Sequence, residues 1–301
     1  MSQTIKEKPM HGKSSRLHLS RRIADAVLTV VFSLISLAYV YPLFIMLVNS
    51  FKKKAYISRA PFTVPLPNTP EWTKMFVGMQ NYANGIRQTD FIEAFMYSVL
   101  ITVLSVFVIL LFCSMTAWYI NRVTSKLSKT VYALCLFSMV VPFQMVMFTL
   151  SKLANIMHLN NPLGIVVVYL GFGAGLAVFM FSGYMKSCPI AIEESAMIDG
   201  CSPVRTFFSI VLPILQPTYV STAILEAMWI WNDYLLPYLV LDIKDYKTIP
   251  IAVQYLKGGY GSVDMGAMMA MLVLAIIPIV VLYLACQKFI ISGVMAGAVK
   301  G

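Results

Sequence analysis

A chain of 301 residues with 13 acidic side chains and three histidines has little with which to build a reactive centre, so where those groups fall carries weight. Two carboxylates, Glu226 and Asp233, stand well inside an otherwise uncharged stretch. Thr222, Glu226, Trp229 and Asp233 recur at i, i+4, i+7 and i+11, a single stripe on a helix, with Asn232 next to it. Such a stripe could hydrogen-bond the hydroxyls of a polyhydroxylated ligand and lay an indole against its C–H face. An ionised carboxylate at mid-bilayer costs roughly 2.5–3.5 kcal/mol, so these groups should face protein or water. A structural reading stands beside this one: Glu226 bonded within a helix bundle, and Asp233 at a membrane interface beside Trp231.

Other chemistries find no material. His11, His18 and His158 lie outside the apolar stretches, and the five cysteines form no CxxC pair, so no metal ligands are expected. No GxxxxGK[ST] phosphate loop occurs, so the chain has no ATP site of its own. The net charge of +10 fits anionic lipid headgroups, with no nucleic-acid partner needed.

The elements that would position these residues are membrane helices. Charged residues make up 12% of the chain against roughly 25% in soluble domains. Six uncharged or nearly uncharged stretches are long enough to cross a bilayer: Ala26–Val48, Ala94–Ile120, Val131–Leu150, Leu163–Met185, Pro217–Val240 and Met265–Cys286. The first reads as a membrane helix and not as a cleaved signal, because its apolar run is too long. Gly171 and Gly175 form a GxxxG pair expected at a close helix contact. With the N-terminus inside, 13 lysines and arginines fall on the inner side and 10 on the outer, a slight preference for cytoplasmic termini. The resulting map is a basic tail at 1–22, a six-span domain at 23–291 and a C-terminal tail at 292–301. Within the domain lie an outer loop at 51–93, a cytoplasmic loop at 186–213 and a last outer loop at 241–264.

The loop at 186–213 is the most informative stretch. Pro189 suits a helix start, and Asp199-Gly200 should end that helix with glycine in the left-handed conformation. Ser202 then caps a second helix opening with Pro203, and Pro213 marks the membrane boundary. Ile192 and Ala196 should share a face, and the small residues Ser195, Ala196 and Gly200 would admit another protein's backbone. A helix lying on lipid is the alternative that amphipathicity leaves open.

This loop resembles the EAA loop of binding-protein-dependent ABC importer permeases: Glu-Ala-Ala, three residues, Gly, nine residues, Ile-x-Leu-Pro. Here the residues are Glu194, Ser195, Ala196, Gly200, Ile210, Leu212 and Pro213, with Ser195 the single departure, and Asp199 precedes the glycine. The resemblance spans almost the whole chain and is closest to the maltose-type carbohydrate permeases, the MalG-like member of the pair. Tyr41-Pro42, Asn49-Ser50-Phe51-Lys52, Val141-Pro142-Phe143-Gln144, Trp231-Asn232-Asp233 and the tail from Ser292 to Gly301 carry it.

The resemblance implies an all-α type I permease fold in a bacterial cytoplasmic membrane. It implies a non-catalytic transport subunit that imports a sugar by alternating access. The implied partners are a homologous second permease, two ATP-binding subunits that hold ATP and Mg, and an extracytoplasmic solute-binding protein. It implies, further, that Gly293, Gly297 and Lys300 of the tail contact the ATPase, and that the loop with Gly258, Gly259 and Gly261 enters the binding protein. A frayed terminus and a flexible connector are the plain alternatives. A permease for a polyamine, glycerol phosphate or amino acid is a rival within the family. An ion-coupled secondary transporter is a rival outside it, which should show broken-helix repeats; none is detectable.

Overall fold

The computed structural model describes residues 12–64, 67, 69–256 and 263–298, with the backbone alone at 12–21 and 289–298. Helix α1 (Gly12–Asn49) leads through a bend to the short helices α2 (Lys54–Arg59), α3 (Pro70–Met75) and α4 (Gln80–Gln88). Helix α5 (Phe91–Arg122), α6 (Lys126–Val140), α7 (Phe143–Ile156) and α8 (Gly164–Met185) follow. Then come α9 (Ile190–Ile198), α10 (Pro203–Thr206), a π-helical turn at Phe207–Val211, α11 (Leu212–Ile214) and α12 (Gln216–Asn232). The chain closes with α13 (Leu235–Val240), α14 (Ile249–Gln254) and α15 (Met265–Ala298).

Among the described residues, four helices are long and apolar enough to span a bilayer: Arg22–Asn49 within α1, then α5, α8 and Met265–Lys288 within α15. The other two expected spans are bent. Span three breaks at Pro142, where α6 and α7 meet at 108°. The residue before a proline is pushed out of the helical region, and Val141 is extended (φ −73°, ψ 117°). Pro42 and Pro278, by contrast, sit inside continuous helices. Span five is not continuous to Val240 as expected: α12 stops at Asn232, Asp233 is extended, and α13 begins afresh. The boundary expected between 291 and 292 falls inside α15, which runs on to Ala298.

The core gathers α5, α8 and α12. Ile109, Tyr169, Ala177, Phe181, Phe207 and Leu215 are fully buried in it. Helix α1 stands apart from this core, exposed over most of its length and covered only in its C-terminal turns, and it contacts α15. The expected GxxxG contact takes another form. A Cβ on Gly171 would meet nothing within 4 Å among the described residues, whereas Gly173 abuts Ile109 and Gly175 abuts Cys135, Ser138 and Met139 of α6. The tight approach therefore falls on Gly173 and Gly175, which are neighbours at i, i+2 and face different helices.

A buried lysine holds the bend that follows α1. Lys52 is fully buried, and its ammonium donates to the carbonyls of Ala60 and Pro61, both at 3.1 Å. Asn81 ties the same bend by donating to the carbonyls of Ser50 (2.8 Å) and Lys52 (2.9 Å). Burial holds the Lys52 ammonium below its ordinary 10.5. The folded state thus releases this proton before the unfolded chain does, and stability rises with pH between the lowered value and 10.5. Lys52→Ala removes two charge-assisted hydrogen bonds from the half-buried Ala60 and Pro61 carbonyls, for which we expect a loss of about 1–3 kcal/mol, read as a lower melting temperature in detergent. An unchanged melting temperature would show that the ammonium is dispensable there.

Candidate functional site

The loop at 186–213 forms two helical limbs around a left-handed turn. Pro189 occupies the N-cap of α9, one position earlier than the first turn. Gly200 has φ +87°, its N–H bonds to the Met197 carbonyl at 3.0 Å, and the Cys201 N–H bonds to the Ala196 carbonyl at 3.0 Å. These two bonds are a Schellman cap, which satisfies carbonyls that the helix end leaves free. Ser202 Oγ accepts the Arg205 N–H at 3.3 Å and Pro203 opens the second limb, as the sequence suggests. The bend into α12 is 78° and falls at Leu215, two residues beyond Pro213.

The two faces of the loop differ. Glu194, Ser195, Asp199, Gly200 and Pro213 are exposed, and Ile210 and Leu212 are half-buried. Ile192, Met197, Val204, Phe208 and Ile198 (85% exposed) add an apolar surface. Ala196 is a correction: it is buried against its own chain, so it does not share an outward face with Ile192 and offers no surface to a partner. Turned inward with it is Glu193, 4% exposed. Arg122, at the end of α5, grips both Glu193 oxygens (Nε at 3.0 Å to each, Nη2 at 2.7 Å to Oε1), and Trp118 Nε1 donates to Oε2 at 2.8 Å. The loop is therefore held on the end of α5, at the opposite end of that helix from segment 51–93.

The stripe on α12 divides into a sealed half and an open half. Thr222 is fully buried with its hydroxyl 3.6 Å from the Met180 sulfur. Glu226 is 1% exposed, and no donor among the described residues reaches either carboxylate oxygen. Gly173 leaves it room, since a Cβ there would lie 3.0 Å from Glu226 Oε2. The expected hydrogen bond of Glu226 within the bundle is thus absent from the described residues. Trp229 and Asn232 are exposed. Asp233 Oδ1 accepts the N–H groups of Leu235 (3.0 Å) and Leu236 (3.3 Å) and so starts α13, while Oδ2 accepts from Tyr169 at 3.2 Å. The Tyr169 ring also meets Trp229 edge-on at 5.5 Å. Tyr169, on α8, is what joins Trp229 and Asp233, and no spacing in the sequence pointed to it. Trp231 turns the other way and donates to the Ala275 carbonyl on α15 at 3.2 Å.

A carboxyl with no donor in reach is a destabilising feature, so we expect Glu226→Met to stabilise the isolated subunit by about 1–3 kcal/mol. The check is its melting temperature in detergent. A fall would mean that Glu226 has a donor after all.

Among the expected site residues, Gly293 and Gly297 lie in the last turns of α15, where only the backbone is described. Lys300, Gly258, Gly259 and Gly261 lie outside the described residues. Among the described residues, no group of three or more His, Cys, Asp or Glu could hold a metal ion.

This architecture is that of a helical membrane protein with several spanning helices. The profile of the family described as "Binding-protein-dependent transport system inner membrane component" matches residues 109–295, and the chain belongs to that family. The probable starch degradation products transport system permease protein AmyC of Thermoanaerobacterium thermosulfurigenes is 38% identical over 274 residues, 91% of this chain and 96% of the relative. The multiple sugar-binding transport system permease protein MsmG of Streptococcus mutans is 35% identical over 264 residues, covering 86% and 91%. Among solved structures, a chain of a bacterial ABC transporter that imports the acidic polysaccharide alginate superposes with a TM-score of 0.72. At 18% identity, covering 93% of this chain and 99% of that one, this likeness is one of fold.

Proposed function

We propose that this chain is the permease subunit of an ATP-driven, binding-protein-dependent importer for a sugar or oligosaccharide. The carrying observation is the two-faced loop at 189–213: one face is held on α5, and the other presents Glu194, Ser195 and Gly200 among exposed apolar side chains. Such a surface on a membrane subunit suits a soluble protein that seats on it. In this reading both termini and the loop are cytoplasmic, ATP and Mg are held by two partner ATPases, and a homologous permease completes the path. The segments 51–93 and 241–264 then face outward toward a solute-binding protein. Glu194, Ser195, Asp199, Gly200, Ile210, Leu212 and Pro213 form or shape the docking loop, and Gly293, Gly297 and Lys300 reach toward the ATPases. Gly258, Gly259 and Gly261 meet the binding protein.

The names of relatives that handle starch fragments and multiple sugars support a carbohydrate cargo. The open half of the α12 stripe supports it chemically, since Trp229, Asn232 and the Tyr169–Asp233 pair offer an aromatic face beside hydrogen-bonding groups. A cationic solute would draw on Glu226 and Asp233, but Glu226 is sealed off and Asp233 is already engaged. The deciding experiment is uptake of labelled malto-oligosaccharides and raffinose by proteoliposomes containing this chain, its second permease, the ATPase and the binding protein. ATP-dependent accumulation of either sugar is expected. Accumulation without ATP, or of polyamines alone, would overturn the reading.

A further inference from the structure

Arg122–Glu193 is the one ion pair among the described residues, and it lies where the loop meets the membrane helices. It is more than a point contact. Besides gripping Glu193, Arg122 Nη2 donates to the Cys188 carbonyl at 3.3 Å, just ahead of the first limb. Trp118, one turn back on α5, holds both limbs: its Nε1 donates to Glu193 on α9, and its ring lies 5.6 Å from that of Phe207, which follows α10. A bidentate guanidinium–carboxylate contact fixes angle as well as distance, which a greasy contact does not. Buried ion pairs are weak evidence for stability, since apolar residues of similar volume often serve as well or better. Fixed orientation is what this pair provides beyond packing.

The helix that carries Arg122 is continuous for 32 residues. Near its other end, Ser98 Oγ accepts the Ile249 N–H at 2.8 Å, which ties α5 to the start of α14 within segment 241–264. At 1.5 Å per residue, Ser98 and Arg122 are about 36 Å apart along one rigid element. Between them Ile109 packs on Gly173, the glycine that makes room for Glu226.

We propose that Arg122, Trp118 and Glu193 form the joint through which movement of the 189–213 loop passes to α5, which carries it as a rod to the start of α14 at Ile249. These are positioning residues, and the inference rests on the docking role proposed above for the loop. Residues on the free face of the loop would decide whether the ATPase binds. The joint decides whether its closure moves the spans.

The test uses the complete transporter in proteoliposomes, with labelled malto-oligosaccharides as the probe or raffinose if that is the sugar accumulated. Because one charge left alone in a buried site could prevent folding, the informative variant is the double replacement Arg122→Met with Glu193→Met, beside the charge-conserving Arg122→Lys. For the double variant we expect the ATPase to co-purify in the wild-type ratio and to hydrolyse ATP, while sugar imported per ATP falls about tenfold or more, within the usual range of coupling between sites. Arg122→Lys, which keeps the charge and loses the fork, should fall between. Wild-type import per ATP in the double variant overturns the joint. Failure of that variant to fold or to retain the ATPase overturns it too, leaving a structural brace. If the wild-type chain itself neither retains an ATPase nor imports sugar, it is the function proposed above that fails.

Discussion

Gly200→Val is expected to leave the chain folded and inserted in the membrane but to lower sugar uptake by more than about tenfold, within the range of coupling between sites. Gly200 has φ +87° and donates one of the two bonds of the Schellman cap. A residue with a Cβ in a left-handed conformation costs about 1–2 kcal/mol, with β-branched side chains worst placed. That strain is local, because a Cβ at 200 meets nothing within 4 Å among the described residues. The bulk of the valine therefore projects into the space where we propose the ATPase seats. Gly200→Asn separates the two effects, since Asn tolerates this conformation but still adds a side chain. Loss of uptake in both variants points to the docking surface, and loss in the valine variant alone points to strain. Normal uptake by Gly200→Val would remove Gly200 from the coupling surface.

The second large effect is expected inside the membrane. Gly175→Leu should lower the melting temperature of the purified subunit by about 2–5 °C, the shift that follows from about 1–3 kcal/mol of overpacking in a chain of 301 residues. A Cβ at 175 would lie 2.7 Å from Ser138 Oγ and 2.8 Å from the Cys135 carbonyl oxygen. The nearby Met139 side chain can swing aside, but the Cys135 carbonyl belongs to the backbone of α6 and moves only if the two helices part. Gly171→Ala is the matched control, because an added Cβ there meets nothing within 4 Å among the described residues, and its melting temperature should not fall. Equal melting temperatures for the two variants would refute the assignment of the α6–α8 contact to Gly175.

Those two glycines show what a repeat in sequence can and cannot say. GxxxG marks small residues on one helical face, but which glycine meets a neighbour depends on where α5 and α6 lie around α8, and that is a non-local matter. Span five shows the same division. The spacing from Thr222 to Asp233 reads as one stripe, but the helix ends at Asn232 because the Asp233 carboxylate accepts the N–H groups that begin α13. No periodicity announces that a carboxylate will cap a new helix instead of continuing the old one.

Arg122 and Glu193 are equally hidden in the sequence. They lie 71 positions apart, and nothing in either neighbourhood marks them as partners. Glu194, next to Glu193, carries the family resemblance, yet a helix turns 100° per residue, so one of two adjacent glutamates points out while the other points in.

The sequence by itself determined the parts whose causes are local. Hydrocarbon thickness sets the length of an apolar run, and this made the four continuous membrane helices legible. The left-handed preference of glycine placed the turn at Gly200, and the caps at Ser202 and Pro203 opened the second limb. Only the tertiary structure decided which faces of those helices meet. The burial of Lys52 and Glu226, the Tyr169–Asp233 contact and the grip of Arg122 on Glu193 each depend on helices distant in sequence, because burial is a property of neighbours in space.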